Sequence, residues 1–94
     1  MSRLDDVVHS PVRFTIMAAL STVDDATYQI LKQELDVSYA LLSKHAGILE
    51  DHGYLRVHKS FLAKKPQTVF ALTPQGRQAF NHHVQALDEI RHGL

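Results

Sequence analysis

The sequence predicts a mostly α-helical fold with one small β-hairpin, arranged as a winged helix-turn-helix. Three observations carry that reading. The stretch Val37–Leu55 has the marks of a single helix with two unlike faces, opened by Ser38 and closed by Gly53. A short helical pattern, Tyr28–Leu35, ends three residues before Ser38. Two alternating runs, Tyr54–Phe61 and Gln67–Thr73, follow Gly53. Helix, tight turn, helix and two-stranded wing, in that order, define this architecture, whose second helix can lie in a major groove.

Composition bounds what such a chain can do. Its 94 residues make one domain, 1–94, with a thin core, since a chain of this size buries only about 60–65% of its unfolded surface. The absence of cysteine excludes disulfides, thiolate metal sites and a cysteine nucleophile. No apolar run is long enough to span a bilayer, and Met1-Ser2-Arg3-Leu4-Asp5-Asp6 lacks a signal-peptide core. The expectation is a soluble, cytoplasmic protein with no membrane partner. Net charge is zero but unevenly spread: residues 1–37 carry three basic and six acidic side chains, and residues 38–68 five basic and two acidic. The positive excess coincides with the second helix and the wing, where phosphates would lie.

In chain order, Leu4, Val7 and Val8 form a short apolar stripe. Ser10 can cap a helix and Pro11 suits its first position, where a missing N–H costs nothing. That helix runs from Pro11 to about Ser21, with Val12, Ile16, Met17 and Leu20 inward and Phe14 and Ala18 widening the face. Arg13 reads either as a phosphate contact or as the ion-pair partner of a nearby acid. Val23–Ala26 is a polar turn, and Thr27 can add a very short strand beside the hairpin. Tyr28, Leu31 and Leu35 form the buried face of the next helix. Asp36 occupies the tight turn, where Asp tolerates a left-handed backbone better than most residues.

The Ser38–His52 helix is the centre of the reading. Ser38 is a good N-cap, and Gly53 sits where a left-handed residue closes a helix. At about 100° per residue, Leu41, Leu42, His45, Ala46, Ile48 and Leu49 share one side. Tyr39, Ala40, Ser43, Lys44, Gly47, Glu50 and Asp51 share the other. Glycine in a helix interior costs about 1 kcal/mol against alanine. Gly47 therefore reads either as a place of close approach, such as a DNA groove, or as a tolerated gap on a solvated face.

In the hairpin, Leu55 and Val57 point one way and Arg56 and His58 the other; Phe70 and Leu72 oppose Val69 and Ala71. Leu62-Ala63-Lys64-Lys65-Pro66 forms the tip. Its lysines either keep an edge soluble or reach a phosphate or minor groove. Thr73 and Pro74 start a last helix that continues to about His92. Phe80, Val84, Leu87 and Arg91 recur along it, with His83, Ile90 and Leu94 broadening the stripe. That face is larger than one small domain covers. Segments 1–9 and 77–94 are therefore expected to dimerise through Leu4, Val7, Val8, His83, Val84, Leu87, Ile90 and Leu94; folding back on the chain's own core is the alternative.

Other chemistry finds little support. His82 and His83 are adjacent and cannot share a helical face. His45 and His52 lie roughly 10 Å apart along a helix, too far for one ion without further ligands. Asp5-Asp6 and Asp24-Asp25 read as solvated pairs. No phosphate-cradling loop, carboxylate pair or nucleophile motif appears. The expectation is a protein without catalytic residues, metal or cofactor.

Three stretches, taken together, resemble a known group. They are His9-Ser10-Pro11-Val12-Arg13; Leu42-Ser43-Lys44-His45 with Leu49-Glu50 and Gly53-Tyr54-Leu55; and Leu72-Thr73-Pro74-Gln75-Gly76-Arg77. Their order and separations are similar to those of small stand-alone winged-helix transcriptional regulators related to the MarR and ArsR families. The resemblance implies a homodimer on a pseudo-palindromic site in double-stranded DNA. It places Tyr39, Ser43 and Lys44 over the major groove and Lys64, Lys65 and Gln67 on the wing; the helix reading adds Ser38, Ala40 and Gly47. The family usually has Leu and a basic residue where this chain has Ala46 and Gly47, so a neighbour such as Ile48 or Tyr54 is expected to fill the space beside Ala46. The cysteine metal box of ArsR-type sensors is absent, and no effector can be inferred. The same fold can instead dock a partner helix on its Ala40–Gly47 face, as a protein-interaction module without DNA.

Overall fold

The computed structural model describes residues 4–93. Seven elements follow in order: α1 (Pro11–Ser21), β1 (Ala26–Thr27), α2 (Tyr28–Leu35), α3 (Tyr39–Asp51), β2 (Leu55–Leu62), β3 (Lys65–Leu72) and α4 (Pro74–Arg91). Local chemistry sets the ends of the helices. Ser10, Thr27, Ser38 and Thr73 each accept a hydrogen bond from the backbone N–H three residues on, and Pro11 and Pro74 stand in the first turns they open. Asp36 closes α2 in the left-handed region (φ 52°, ψ 48°), and Gly53 turns the chain out of α3 at φ 77°.

The three strands form one antiparallel sheet in the order β1-β3-β2. Ala26 and Thr27 pair with Phe70 and Val69, so Thr27 both extends the sheet and caps α2. Core side chains come from every helix and from the inner half of the hairpin: Ile16, Met17 and Leu20; Leu31; Leu42, Ala46 and Leu49; Leu55, Phe70 and Leu72; Phe80. Among the described residues no helix is long and apolar enough to cross a membrane.

Several expectations need correction. The hairpin pairs all the way to Leu62↔Lys65, so the tip is the two residues Ala63 and Lys64, and Lys65, Pro66 and Gln67 belong to β3. Val69 and Ala71, expected opposite the buried face, are themselves buried, so the inner end of β3 is covered on both sides. On α4 the inward residues are Gly76, Phe80, His83 and Ala86, whereas Val84 is 40% exposed. Two residues expected at a dimer seam, Val8 and His83, are 0% and 1% exposed within a single chain and offer no surface to a second copy. Leu4, Val7 and Leu87 are half-buried, Ile90 is 52% exposed, and Leu94 lies outside the described residues. Leu41, expected on the apolar side of α3, is exposed.

Candidate nucleic-acid interface

Helix α3 presents Ser38, Tyr39, Ala40, Ser43 and Lys44 to solvent, while Leu42, Ala46 and Leu49 anchor its other side. Gly47 is half-buried, yet a methyl group placed on it would touch nothing within 4 Å. Among the described residues, nothing therefore occludes the outward face of α3 at Gly47. Ser38 spends its oxygen on the Leu41 N–H at 3.1 Å and keeps its own O–H to donate.

The wing stands beside this face. Val57, Lys59, Thr68 and Phe70 share one sheet surface, because Val57 pairs with Phe70 and Lys59 with Thr68. That surface and α3 enclose a cleft of about 240 Å³, lined also by Tyr28, Tyr39, Ser43, Ala46 and Gly47. The space beside Ala46 is thus left open. Tyr54, expected as a filler, is turned instead toward Asp5, and the rings of Tyr28 and Tyr39 meet edge-on at 5.0 Å along the cleft. Lys59 Nζ donates to Thr68 Oγ1 at 3.0 Å. Lys64 and Lys65 are exposed at the tip and Gln67 is half-buried further down. The structure thus sets Tyr39, Ser43 and Gly47 against the wing's inner face, with the tip lysines at the far end of the same hairpin.

What holds α3 in place involves residues that sequence reasoning misjudged. Among the described residues Arg13 pairs with a carbonyl and a histidine, not with an acid. Its Nε donates to the Val7 carbonyl at 2.6 Å and its Nη1 to His45 Nδ1 at 3.0 Å, tying the N-terminal segment to α3. Burial, then the nearby Arg13 and Lys44 charges, hold the His45 pKa below its usual value. Asp5 is no solvated acid either. Its Oδ1 accepts from the Val7 and Val8 N–H groups at 2.8 and 3.2 Å, and its Oδ2 accepts from the Tyr54 hydroxyl at 2.7 Å. Desolvation raises the Asp5 pKa, but the bonds from Tyr54, Val8 and Val7 outweigh it and the net shift is downward. The same hydrogen bond, with burial, pushes the Tyr54 pKa up to about 12.

The Asp5 N–H donates to His83 Nδ1 at 3.1 Å, so the neutral His83 ring carries its proton on Nε2 and donates it to His9 Nδ1 at 3.3 Å. Burial and the facing His9 lower the His83 pKa, against a smaller opposing pull from Asp5. Gly76 is the other missed residue: a Cβ there would collide with the Tyr54 carbonyl. That close approach lets the Thr73 N–H donate to Tyr54 O at 3.1 Å and the Thr73 hydroxyl to Gly53 O at 2.6 Å, locking α4 to the root of the wing. A glycine inside the first turn of a helix was the only signal for it. Among the described residues no three His, Asp or Glu side chains converge as metal ligands.

Comparison with known proteins adds a family. The model of the winged helix DNA-binding domain matches residues 12–91. The uncharacterised protein MJ0432 of Methanocaldococcus jannaschii is 28% identical over 84 residues, 89% of this chain and 91% of that one. A transcriptional regulator homologue from Pyrococcus horikoshii OT3 superposes with a TM-score of 0.87 at 26% identity, covering 93% of this chain and 86% of its own. A MarR-family protein from Porphyromonas gingivalis W83 shares the fold at a TM-score of 0.71 and 19% identity, over 90% and 78% of the two chains.

Proposed function

Because the chain belongs to the winged helix DNA-binding domain family, we propose that it is a transcriptional regulator that reads double-stranded DNA as a homodimer, and that its work is binding rather than catalysis. The N-terminal half of α3 lies in the major groove. Tyr39, Ala40, Ser43 and Lys44 face base edges and phosphates, Ser38 donates its hydroxyl proton to a phosphate, and Gly47 lets the groove wall come close. Lys64, Lys65 and Gln67 hold the adjacent backbone. Half-buried Leu4, Val7 and Leu87, with exposed Val84 and Ile90, meet their counterparts in a second copy. One observation carries the reading: the outward face of α3 is open, with Tyr39, Ala40, Ser43, Lys44 and Gly47 along it, and it lies beside a cationic hairpin.

The test is a mobility shift on mixed genomic fragments across a salt series. Binding should weaken steeply with salt, by about 0.9 in log–log slope for each phosphate neutralised. Lys44→Ala should flatten that slope by about one unit on all sequences, whereas Ser43→Ala should change which fragments are preferred. No salt-sensitive binding, together with a protein that co-purifies stoichiometrically, would favour the protein-interaction module instead.

A further inference from the structure

The wing tip carries two side chains that neither the fold nor backbone anchoring requires. Phe61 is 72% exposed and Leu62 is 67% exposed, the highest values among the large apolar side chains of the described residues. They occupy the last two rungs of the hairpin, Phe61↔Pro66 and Leu62↔Lys65, just before the two-residue turn. A solvated edge hairpin is normally kept polar to avoid association. This one carries two exposed apolar side chains on the rungs beside its turn.

Charge narrows what such a tip can meet. From Leu55 to Leu72 the wing carries Arg56, Lys59, Lys64 and Lys65 and no acidic residue. The partner must be anionic outside and apolar within reach. Duplex DNA is both, with phosphates on its rim and stacked bases inside. Direction favours it as well. Alternation along β2 puts Phe61 on the same sheet surface as Val57 and Lys59, the surface that faces α3 across the cleft. A duplex lying against α3 is therefore met by Phe61 from the wing's own side.

We propose that Phe61 is an apolar wedge, flanked by Leu62 on the hairpin's opposite surface, that enters the minor groove beside the site read by α3, parts a base step and bends the duplex. The inference rests on the DNA-binding reading and adds deformation to it. The minor groove is only about 6 Å wide, narrower than a two-stranded ribbon. Entry requires it to open, and wedging apolar side chains between base pairs opens it, with a kink of roughly 20–90° toward the major groove. Pyrimidine–purine steps unstack most easily. The wing thus selects TA or CA steps at a position where it makes no base-specific hydrogen bond.

The experiment uses the full chain and a random duplex pool enriched by rounds of binding. The selected duplex is labelled at its ends for resonance energy transfer and carries 2-aminopurine at the step next to the site. Wild-type protein should shorten the end-to-end distance and raise 2-aminopurine fluorescence. Phe61→Ser/Leu62→Ser should lose both signals yet keep the wild-type salt slope, because no phosphate contact is removed. Lys64→Ala/Lys65→Ala should flatten the slope by about two units and keep the bend in the bound fraction. A serine variant that bends DNA as the wild type does would overturn the wedge while leaving DNA binding intact. Wild-type protein that binds without bending would do the same. Binding to vesicles of anionic phospholipid that the serine variant loses, with no DNA bend, would overturn it in favour of a membrane surface. Failure of the wild-type protein to retain any duplex would overturn the DNA-binding reading itself.

Discussion

Gly47 and Gly76 both sit inside helices, for different reasons. At Gly76 the backbone of Tyr54 occupies the place of a side chain, so the fold demands glycine. At Gly47 no described residue stands in the way, so the free protein bears the helix penalty without recovering it. Gly47→Ala should therefore raise the unfolding free energy by up to about 1 kcal/mol, read from urea denaturation. The same variant should bind selected duplexes more weakly, because a methyl group then stands between α3 and the groove wall. Unchanged affinity would show that the open face of α3 does not depend on close approach at this residue.

At the scale of elements the wing is the informative case. Its turn places Ala63 at φ 51° and Lys64 at φ 68°, the left-handed region that a two-residue hairpin turn of this type requires at both positions. Asparagine and glycine fit there; alanine and lysine are strained by roughly 1–2 kcal/mol each. Ala63→Asn/Lys64→Gly should raise the melting temperature by several degrees, given about 4–8 °C per kcal/mol for a domain of this size. A lower melting temperature would mean that the turn is not of this type. This strain also explains why the sequence suggested a five-residue tip. Without Asn or Gly the turn leaves no local signal, and Pro66 reads as a strand breaker. Pro66 is tolerated because β1 covers β3 only at Phe70 and Val69, leaving the outer edge of Pro66 without a strand to bond.

At the scale of the molecule, the radius of gyration of 14.0 Å exceeds the roughly 12 Å of a compact chain of this length, and the longest extent is 52 Å. The N-terminal segment is held to that core through Asp5, His83 and Arg13. His83 is depressed in the folded state, so the unfolded chain binds a proton more readily below about pH 6.5. Its stabilisation is complete above that pH and is lost as pH falls through it toward the folded value; His45 acts in the same sense. The Asp5 shift is downward too, but its window lies below 3.8 and does not interfere. Urea midpoints should fall between pH 7.5 and 5.5, and His83→Gln should flatten that dependence. Exposed Val84 and Ile90 carry the dimer proposal: Val84→Glu/Ile90→Glu should sediment as a folded monomer, and a dimer of wild-type mass would place the seam elsewhere.

The ends of the helices were written locally. Ser10 with Pro11, Ser38, Thr73 with Pro74, left-handed Asp36 and Gly53 all act over about four residues, the range within which caps and turns make their bonds. The open face of α3 was legible for the same reason, since its two sides alternate within each turn of about 3.6 residues. Which member of a neighbouring pair goes inside was decided only in three dimensions: Val8 rather than Val7, His83 rather than Val84, and both Val69 and Phe70. Asp5 meets Tyr54 and His83 across 49 and 78 residues of chain. Burial of this kind depends on which surfaces the whole fold brings together, and no periodicity within one segment encodes that.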